Sequence, residues 1–241
     1  MKIKNATALV TGANRGIGRA LVAALLKSSV KKVYACARDT SKLKDVIALD
    51  KQRVVALKLD VVDSGLIAAV AKAAPDVNIL FNNAGVLEFG GILDVPQDKM
   101  AFQFATNFYG KLNMAAAFAP IIEKNGGGAI VNMLTLVALA SMPGLSTYNA
   151  SKAAAWSMTQ SLRAALAAKS IQVHGVFPGA VDTDMLAGVD MPKTSPADIA
   201  GAIIAGIEAG AEDIFPDGMS TQVYAAWKQD HKAVEKQFAA M

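Results

Sequence analysis

The sequence contains little of the chemistry that covalent cross-links and metal centres need. There is one cysteine, Cys36, so no disulfide can form within the chain. Cys36 stands in an apolar run, and we expect it to be a small core residue. The two histidines, His174 and His231, lie far apart, and no residues show the spacing of metal ligands. We therefore predict that the protein binds no metal.

Long apolar runs and charge clusters are missing as well. No run of roughly eighteen apolar residues is present, which argues against a transmembrane helix. The N-terminus passes almost directly into apolar residues 6–10 without the pattern of a secretory signal, so we expect a cytoplasmic protein. The 24 basic and 20 acidic residues give a net charge of +4, and no basic run contains interleaved aromatic residues. Nucleic acid is therefore not an expected partner.

Apolar residues are abundant, at 53% of a chain of 241 residues. Short apolar segments typical of buried strands alternate with helical patterns, with no repeat or interdomain linker. This alternation predicts one doubly wound α/β (Rossmann) domain over residues 1–241, in which helices cover both faces of a parallel seven-stranded sheet. The predicted strands are 6–11, 32–37, 54–59, 77–81, 129–134, 171–177 and 211–216. The first predicted helix runs from the glycine-rich turn to about residue 27. The next four cover 41–49, 63–74, 97–123 and 147–169, and two more begin at about residues 195 and 220.

A glycine-rich turn, TGANRGIG at residues 11–18, follows the first predicted strand and precedes a helical pattern. Glycines let the backbone approach a phosphate, and a helix N-terminus offers free N–H groups and a partial positive charge. The spacing G-x-x-x-G-x-G differs from the G-x-G-x-x-G of the usual dinucleotide fingerprint. An ordinary strand-to-helix loop is the alternative, but the position between a strand and a helix favours a nucleotide site.

The end of the second predicted strand bears on which dinucleotide binds. NAD-binding proteins usually place an acid there for the ribose 2′-hydroxyl, but this chain has Ala37 followed by Arg38. Arg38 and Arg15 together could clamp a 2′-phosphate, which suits planar guanidinium groups. Asp39 could instead neutralise Arg38 or bind the ribose itself, and both arginines could be ordinary solvated surface. We predict NADPH as the cofactor and keep NAD as the alternative.

Polar residues interrupt the apolar pattern at three further places. Residues 82–85 (NNAG) end the fourth predicted strand, where amide side chains can tie strands together or contact a ligand. Asn107 lies within the long predicted helix 97–123, where asparagine competes for backbone groups, so we predict a polar and kinked site. Tyr148 and Lys152 are four residues apart and share one helix face. A nearby cation lowers the pKa of a phenol, although a helix with an exposed lysine would show the same spacing.

In this order, the motifs resemble the short-chain dehydrogenase/reductase family over nearly the whole chain. The matching residues are Thr11-Gly12 with Gly16-Ile17-Gly18, Asp60-Val61, Asn82-Asn83-Ala84-Gly85, Asn107, Tyr148 with Lys152, and Pro178-Gly179 with Thr183. Each motif is common by itself, whereas the ordered set is specific.

The resemblance implies catalytic roles for four residues. Tyr148 would be the general acid in ketone reduction and the base in alcohol oxidation. Lys152 would hold the ribose hydroxyls on the nicotinamide side and lower the pKa of Tyr148. Asn107 would anchor a water molecule that passes protons to Lys152. Thr135 stands thirteen residues before the tyrosine, where the family usually has a serine that binds the substrate oxygen; threonine keeps the hydroxyl but adds a methyl and stiffens χ1.

The predicted cofactor-binding residues extend along the carboxyl ends of the strands. In chain order they are Gly12, Asn14, Arg15, Gly16, Ile17, Gly18, Arg38, Asp60, Val61, Asn83, Ala84, Gly85, Tyr148, Lys152, Pro178, Gly179, Val181 and Thr183. By resemblance, Asp60 and Val61 would flank the adenine, and Pro178, Val181 and Thr183 would hold the nicotinamide.

These predictions favour an NADPH-dependent enzyme that reduces a hydrophobic ketone or aldehyde to an alcohol by direct hydride transfer. The alternatives are an NAD-linked alcohol dehydrogenase and a cofactor-binding sensor or scaffold with little turnover. Residues 180–195 lack clear periodicity, and we predict that about residues 184–195 form a mobile lid over the substrate. The apolar composition and the habit of the family imply a homodimer or homotetramer, with helices 97–123 and 147–169 as the candidate interface.

Overall fold

The computed structural model of the chain describes residues 2–241, in which seven parallel strands form one sheet in the order β3-β2-β1-β4-β5-β6-β7. The strands are β1 (Thr7–Thr11), β2 (Lys32–Ala37), β3 (Val54–Lys58), β4 (Ile79–Asn82), β5 (Gly128–Met133), β6 (Ile171–Val176) and β7 (Asp213–Ile214). The helices are α1 (Gly16–Lys27), α2 (Lys44–Ile47), α3 (Ser64–Ala73), α4 (Gln97–Phe104), α5 (Gly110–Lys124), α6 (Ser146–Leu166), α7 (Pro196–Glu208), α8 (Gly218–Gln229) and α9 (His231–Ala239). The predicted Rossmann fold is confirmed.

Helices cover both faces of the sheet because strand side chains alternate between two cores. In β1, Ala8 and Val10 lie in one core and Leu9 lies in the other. Helices α1, α2 and α7 cover the first core, and α3, α5 and α6 cover the second. Strands that are buried on both faces read as continuous apolar runs, which explains why the sequence located them. Cys36 in β2 is fully buried, as predicted.

The long predicted helix 97–123 is interrupted at its centre. Helix α4 passes through a π-helical turn, Ala105–Tyr109, into α5, and Asn107 lies within this turn. Turns of this kind appear mostly as single insertions in α-helices and are frequent at functional sites. The irregularity predicted from Asn107 is therefore present as a π-helical turn.

Other predicted elements differ in extent. The helix predicted at 41–49 is a 3₁₀ turn, Thr40–Leu43, followed by the short α2, and the last strand has only two residues. The terminal helix is divided into α8 and α9 because Asp230 caps a new start, its carboxylate accepting hydrogen bonds from the N–H groups of Lys232 and Ala233.

A chain of buried polar side chains ties β4, β5 and α6 together near the carboxyl edge of the sheet. Asn82 donates from Nδ2 to Oδ1 of Asn132 at 3.0 Å, and Asn132 donates to the hydroxyl of Thr159 at 3.0 Å. Thr159 in turn donates to the carbonyl of Ala155. These side chains are almost completely inaccessible, so their polar groups need partners within the protein. Asn82 Nδ2 finds a second one in the carbonyl of Lys111 at 3.2 Å.

We expect Asn132→Leu to lower the free energy of unfolding by about 2–3 kcal/mol, because it leaves buried polar groups of Asn82 and Thr159 without their partner. Urea unfolding monitored by circular dichroism measures the change. The control is Ser161→Ala on the exposed side of α6, for which we expect a change within about 0.5 kcal/mol. Equal stability of the two variants would contradict the importance of this chain.

Candidate active site

A cleft of about 1320 Å³ opens at the carboxyl ends of the strands. Strands β1 and β4 are neighbours there although they are not consecutive, which marks the point where open α/β sheets bind ligands. Most of the predicted site residues line this cleft: Gly12, Asn14, Arg15, Gly16, Ile17, Gly18, Arg38, Asp60, Val61, Asn83, Ala84, Gly85, Thr135, Tyr148, Lys152, Pro178, Gly179, Val181 and Thr183. Asn107 is the exception, since it is completely buried behind the wall.

The glycine turn has the shape that a bound phosphate needs. Gly12 and Gly16 have φ values of +65° and +51°, which other residues rarely adopt. A Cβ on Gly18 would lie 2.2 Å from the carbonyl oxygen of Gly12, so only glycine lets α1 begin this close to β1. Within residues 2–241, no side chain caps α1 at Arg15 and no acid lies in its first turn. The backbone N–H groups in the first turn of α1 therefore remain free for an anion. The glycine turn fits the pyrophosphate of a dinucleotide.

Asn83 fastens this turn to the end of β4. Its Nδ2 donates to the carbonyls of Thr11 at 2.9 Å and Gly12 at 3.2 Å. The hydroxyl of Thr11 accepts a hydrogen bond from the N–H of Ala84 at 2.9 Å. The two walls of the cleft are thus held together by hydrogen bonds between side chains of one wall and backbone groups of the other.

The two arginines predicted to clamp a 2′-phosphate have different surroundings. Arg38 lines the cleft at the end of β2. Arg15 makes a salt bridge of 2.9 Å with Asp184, between side chains that are 64% and 70% exposed. Because exposed ion pairs are weak, this contact between the glycine turn and the predicted lid can exchange for another anion.

Asp39, the residue that kept NAD open, also borders the cleft. Its carboxylate accepts a hydrogen bond from the N–H of Ser41 at 2.9 Å and caps the following 3₁₀ turn. The pKa of Asp39 is lowered by its hydrogen bonds with Ser41 and, to a smaller extent, by the charges of Lys42 and Lys58. One oxygen of the Asp39 carboxylate is therefore already hydrogen-bonded to the backbone of the next turn.

Thr135, Tyr148 and Lys152 meet at the opposite end of the cleft. Tyr148 and Lys152 lie one turn apart on α6, with the lysine Nζ 5.5 Å from the centre of the tyrosine ring. Lys152 donates to the carbonyls of Met133 at 2.9 Å and Leu134 at 3.5 Å. Thr135 follows these two residues, and its hydroxyl makes a long hydrogen bond of 3.5 Å to the carbonyl of Pro178. Residues from β5, α6 and the end of β6 therefore converge.

Burial dominates the titration of this group. It raises the pKa of Tyr148 to about 12, while a hydrogen bond with the Thr135 side chain acts in the opposite direction. Burial also lowers the pKa of Lys152 to about 8. Lys152 is not among the causes of the shift in the Tyr148 pKa, and its Nζ donates instead to backbone carbonyls. That Lys152 lowers the pKa of Tyr148 stays a prediction.

Asn107 makes contacts other than those implied by the resemblance. Its Oδ1 accepts from the N–H of Val86, and its Nδ2 donates to the carbonyl of Val86 and to the hydroxyl of Ser151. Gly85 lies between Asn107 and Lys152, since a Cβ on Gly85 would be 3.2 Å from Asn107 Oδ1 and 3.6 Å from Lys152 Nζ. Asn107 thus supports the wall of the cleft, and its role in a proton relay stays a prediction.

Helices α8 and α9 border the cleft, which was not predicted from the sequence. Both helices contribute lining residues: Gly218, Met219, Gln222 and Val223 from α8, and Gln237, Phe238 and Met241 from α9 and the C-terminus. Val234 and Phe238 are buried in one cluster with Leu136, Val137 and Tyr148. The amphipathic pattern of the terminal segment was visible, but the sequence could not show which core its apolar face joins.

Comparison with known proteins agrees with the family resemblance that the sequence motifs indicate. A family model described as short chain dehydrogenase matches residues 6–193. The chain belongs to the short-chain dehydrogenase family. Oxidoreductase UcpA of Salmonella typhimurium is 32% identical over 214 residues, covering 84% of this chain and 81% of the relative. The chain is accordingly an oxidoreductase of this family.

Two solved structures that hold a dinucleotide have a fold similar to that of this chain. A short chain dehydrogenase from Burkholderia cenocepacia, in complex with NADP, is 35% identical, with a TM-score of 0.93 and 99% of each chain covered. A short chain dehydrogenase/reductase from Burkholderia phymatum, in complex with NAD, has a TM-score of 0.86 over 98% of this chain and 96% of its own. At 24% identity, the second supports the fold alone.

Residues 2–241 contain neither a metal-binding cluster nor a membrane-spanning helix. No group of three or more histidine, cysteine, aspartate or glutamate residues in this range could hold a metal ion. None of the helices in the same range is long and apolar enough to span a bilayer.

Because Lys152 is buried, we expect the stability of the fold to depend on pH. The folded protein releases the lysine proton near pH 8, whereas the unfolded chain keeps it to about pH 10.5. Between these values the unfolded state binds more protons, so raising the pH stabilises the folded state. Relative to Lys152→Met, we expect the wild type to gain about 3 kcal/mol of stability across this range.

Urea unfolding of both proteins at a series of pH values tests this expectation. Lys169→Met, which replaces an exposed lysine just beyond the same helix, should follow the wild type at every pH. Parallel stability curves for the wild type and Lys152→Met would show that Lys152 keeps its ordinary titration in the fold.

Proposed function

We propose that the protein is an NADPH-dependent reductase that converts a neutral, hydrophobic ketone or aldehyde to an alcohol. The observation that carries the proposal is the convergence of Thr135, Tyr148 and Lys152 at one end of a cleft whose other end is the glycine turn. When bound, the nicotinamide cofactor supplies the hydride. The chain's own residues then need only orient the carbonyl and deliver one proton.

Tyr148 is the proposed proton donor. Because burial raises its pKa to about 12, its phenol carries a proton throughout the physiological range. A protonated phenol suits reduction, in which the developing alkoxide oxygen takes a proton, better than oxidation, which needs the phenolate. The Thr135 side chain is near enough to Tyr148 to lower its pKa, so we infer that both hydroxyls can bind one substrate oxygen and that the threonine can serve in place of serine.

The distribution of charge in the cleft supports a neutral substrate. The charged residues that line it are Arg15, Arg38, Asp39, Lys42, Asp60, Lys152 and Asp184. Apart from Lys152, they lie on the glycine turn, beyond β2 and β3, or on the predicted lid. The region around Tyr148 is apolar, with Leu136, Val137, Met142, Leu145, Met219, Val223 and Phe238 among its residues. Such a surface binds an apolar group. Lys152, the charged lining residue beside it, is already hydrogen-bonded to the carbonyls of Met133 and Leu134.

The proposed preference for NADPH rests on Arg38 and Arg15 at the cleft and on the partial engagement of Asp39 by Ser41. A similar protein in complex with NADP adds support. The NAD-linked alcohol dehydrogenase is retained as the second candidate because the Asp39 carboxylate borders the same end of the cleft.

Two further proposals concern residues around the cleft. Residues 184–195 contain one 3₁₀ turn, Asp184–Leu186, and contribute Met185, Leu186, Val189 and Met191 to the lining, as a substrate lid would. Phe102 and Tyr109 are 38% and 55% exposed on the interrupted helix, which is consistent with the proposed association of two or four copies through α4, α5 and α6.

Tyr148→Phe tests the reaction. The variant keeps the ring within its apolar cluster but removes the proton donor, so we expect kcat to fall by about 10²- to 10⁴-fold while NADPH still binds. NADPH oxidation is followed by absorbance with a panel of aryl and aliphatic ketones and aldehydes. Tyr224→Phe, on α8 and outside the cleft, is the matched control and should retain activity. NADPH binding without turnover of any carbonyl by the wild type would overturn the proposed reaction.

Arg38→Ala tests the cofactor preference. Losing a charged hydrogen-bond donor to the 2′-phosphate should raise Kd for NADPH at least about tenfold and leave Kd for NADH nearly unchanged. Quenching of tryptophan fluorescence measures both constants. Arg19→Ala, an exposed arginine on α1 that does not line the cleft, should alter neither. An equal loss for the two dinucleotides would contradict the phosphate contact and favour the NAD-linked candidate.

A further inference from the structure

Lys111 is a second buried lysine beside the active site, and the proposed reaction gives it no role. It lies in the first turn of α5, four residues after Asn107, and is 2% exposed. Its Nζ donates to the carbonyls of Asn82 at 2.8 Å and Ala84 at 3.0 Å. Within residues 2–241, no carboxylate forms a salt bridge with it, although lysine is almost never fully buried without a charged partner.

Burial disfavours the charged form of Lys111. Burial lowers the pKa of Lys111 well below its ordinary value, and the charge of Lys152 acts in the same direction. A neutral amine still has two N–H groups, which matches the two carbonyls that Lys111 contacts. Lys111 can therefore keep both hydrogen bonds as a neutral amine, without placing a second buried positive charge near Lys152.

The carbonyls that Lys111 binds belong to the wall of the cofactor cleft. Asn83, Ala84 and Gly85 line the cleft, and Lys111 holds this segment at Asn82 and Ala84. Asn107, one turn earlier, holds both backbone groups of Val86. The two side chains thus bind backbone groups at both ends of the segment.

The same helix approaches the cleft at a second point. A Cβ on Gly110 would lie 2.7 Å from a methyl group of Val61, which is another cleft residue. The start of α5 is therefore fixed against the backbone on which the dinucleotide would rest, and Lys111 has little freedom to shift.

We propose that Lys111 is a positioning residue of this oxidoreductase, which acts with Asn107 to hold residues 82–86 in the conformation that receives the dinucleotide. The inference rests on the proposed function only in that residues 83–85 contact the cofactor. Lys111 itself is separated from the cleft by the backbone it binds.

The test compares Lys111→Met with Asn125→Leu. Asn125 donates from Nδ2 to the carbonyls of Pro75 and Val77, both at 2.9 Å, before the start of β4 at the opposite edge of the sheet. Each substitution removes two hydrogen bonds to backbone carbonyls, so we expect both to lower Tm. Only Lys111→Met should change the cleft.

For Lys111→Met we expect Kd and KM for NADPH to rise about tenfold or more, with a smaller change in kcat. Amide hydrogen exchange should become faster in residues 83–86. Asn125→Leu should leave these quantities within about twofold of the wild type. Lys111→Gln, which keeps N–H donors on a shorter side chain, should give an intermediate Kd, and it carries the same comparison if the methionine variant does not fold.

Unchanged dinucleotide affinity and unchanged exchange in residues 83–86 would overturn the proposal and make Lys111 a purely structural residue. Failure of the proposed reaction is distinguishable, because Kd and exchange are measured without turnover. If the wild type binds NADH in place of NADPH, the same comparison is made with NADH. If it binds neither, the positioning role is overturned.

Discussion

Backbone groups beyond the last hydrogen bonds at the carboxyl edge of a parallel sheet must find other partners when they are buried. In this protein, side chains supply them. Asn83 binds the carbonyls of Thr11 and Gly12, Lys152 binds those of Met133 and Leu134, and Lys111 binds those of Asn82 and Ala84. Because the same backbone forms the walls of the cleft, the hydrogen bonds that complete the fold also shape the active site.

Desolvation accounts for the electrostatic character of this site. Burial disfavours the charged form of each group, so Tyr148 keeps its proton and the pKa values of Lys111 and Lys152 are lowered. The remaining charged groups lie mainly towards the glycine turn, while apolar side chains surround the tyrosine. The cleft therefore has a charged end, which suits the proposed dinucleotide, and an apolar end, which suits the proposed neutral substrate.

Much of the fold could be predicted because its signals are local. The apolar runs of β1 to β6, the glycine turn and the spacing of Tyr148 and Lys152 all lie within short segments, and asparagine at position 107 indicated an irregular helix. Other features depend on contacts across the chain. These include the pairing of Arg15 with Asp184, the burial of Lys111 and the approach of α9 to Tyr148. Lysine and arginine are usually exposed, so sequence reasoning placed such residues on the surface or passed over them.

The sequence by itself determined the alternating strands and helices and the family, and it indicated the residues that we propose to exchange a proton or bind a phosphate, since these follow from residue type and spacing. Tertiary structure decided how those residues behave. Packing around Tyr148 raised the pKa that its spacing to Lys152 was expected to lower, and the fold brought the C-terminal helix to the part of the cleft around Tyr148. The physical reason is that desolvation depends on everything that surrounds a group in space, whereas periodicity and motif spacing describe only its neighbours along the chain.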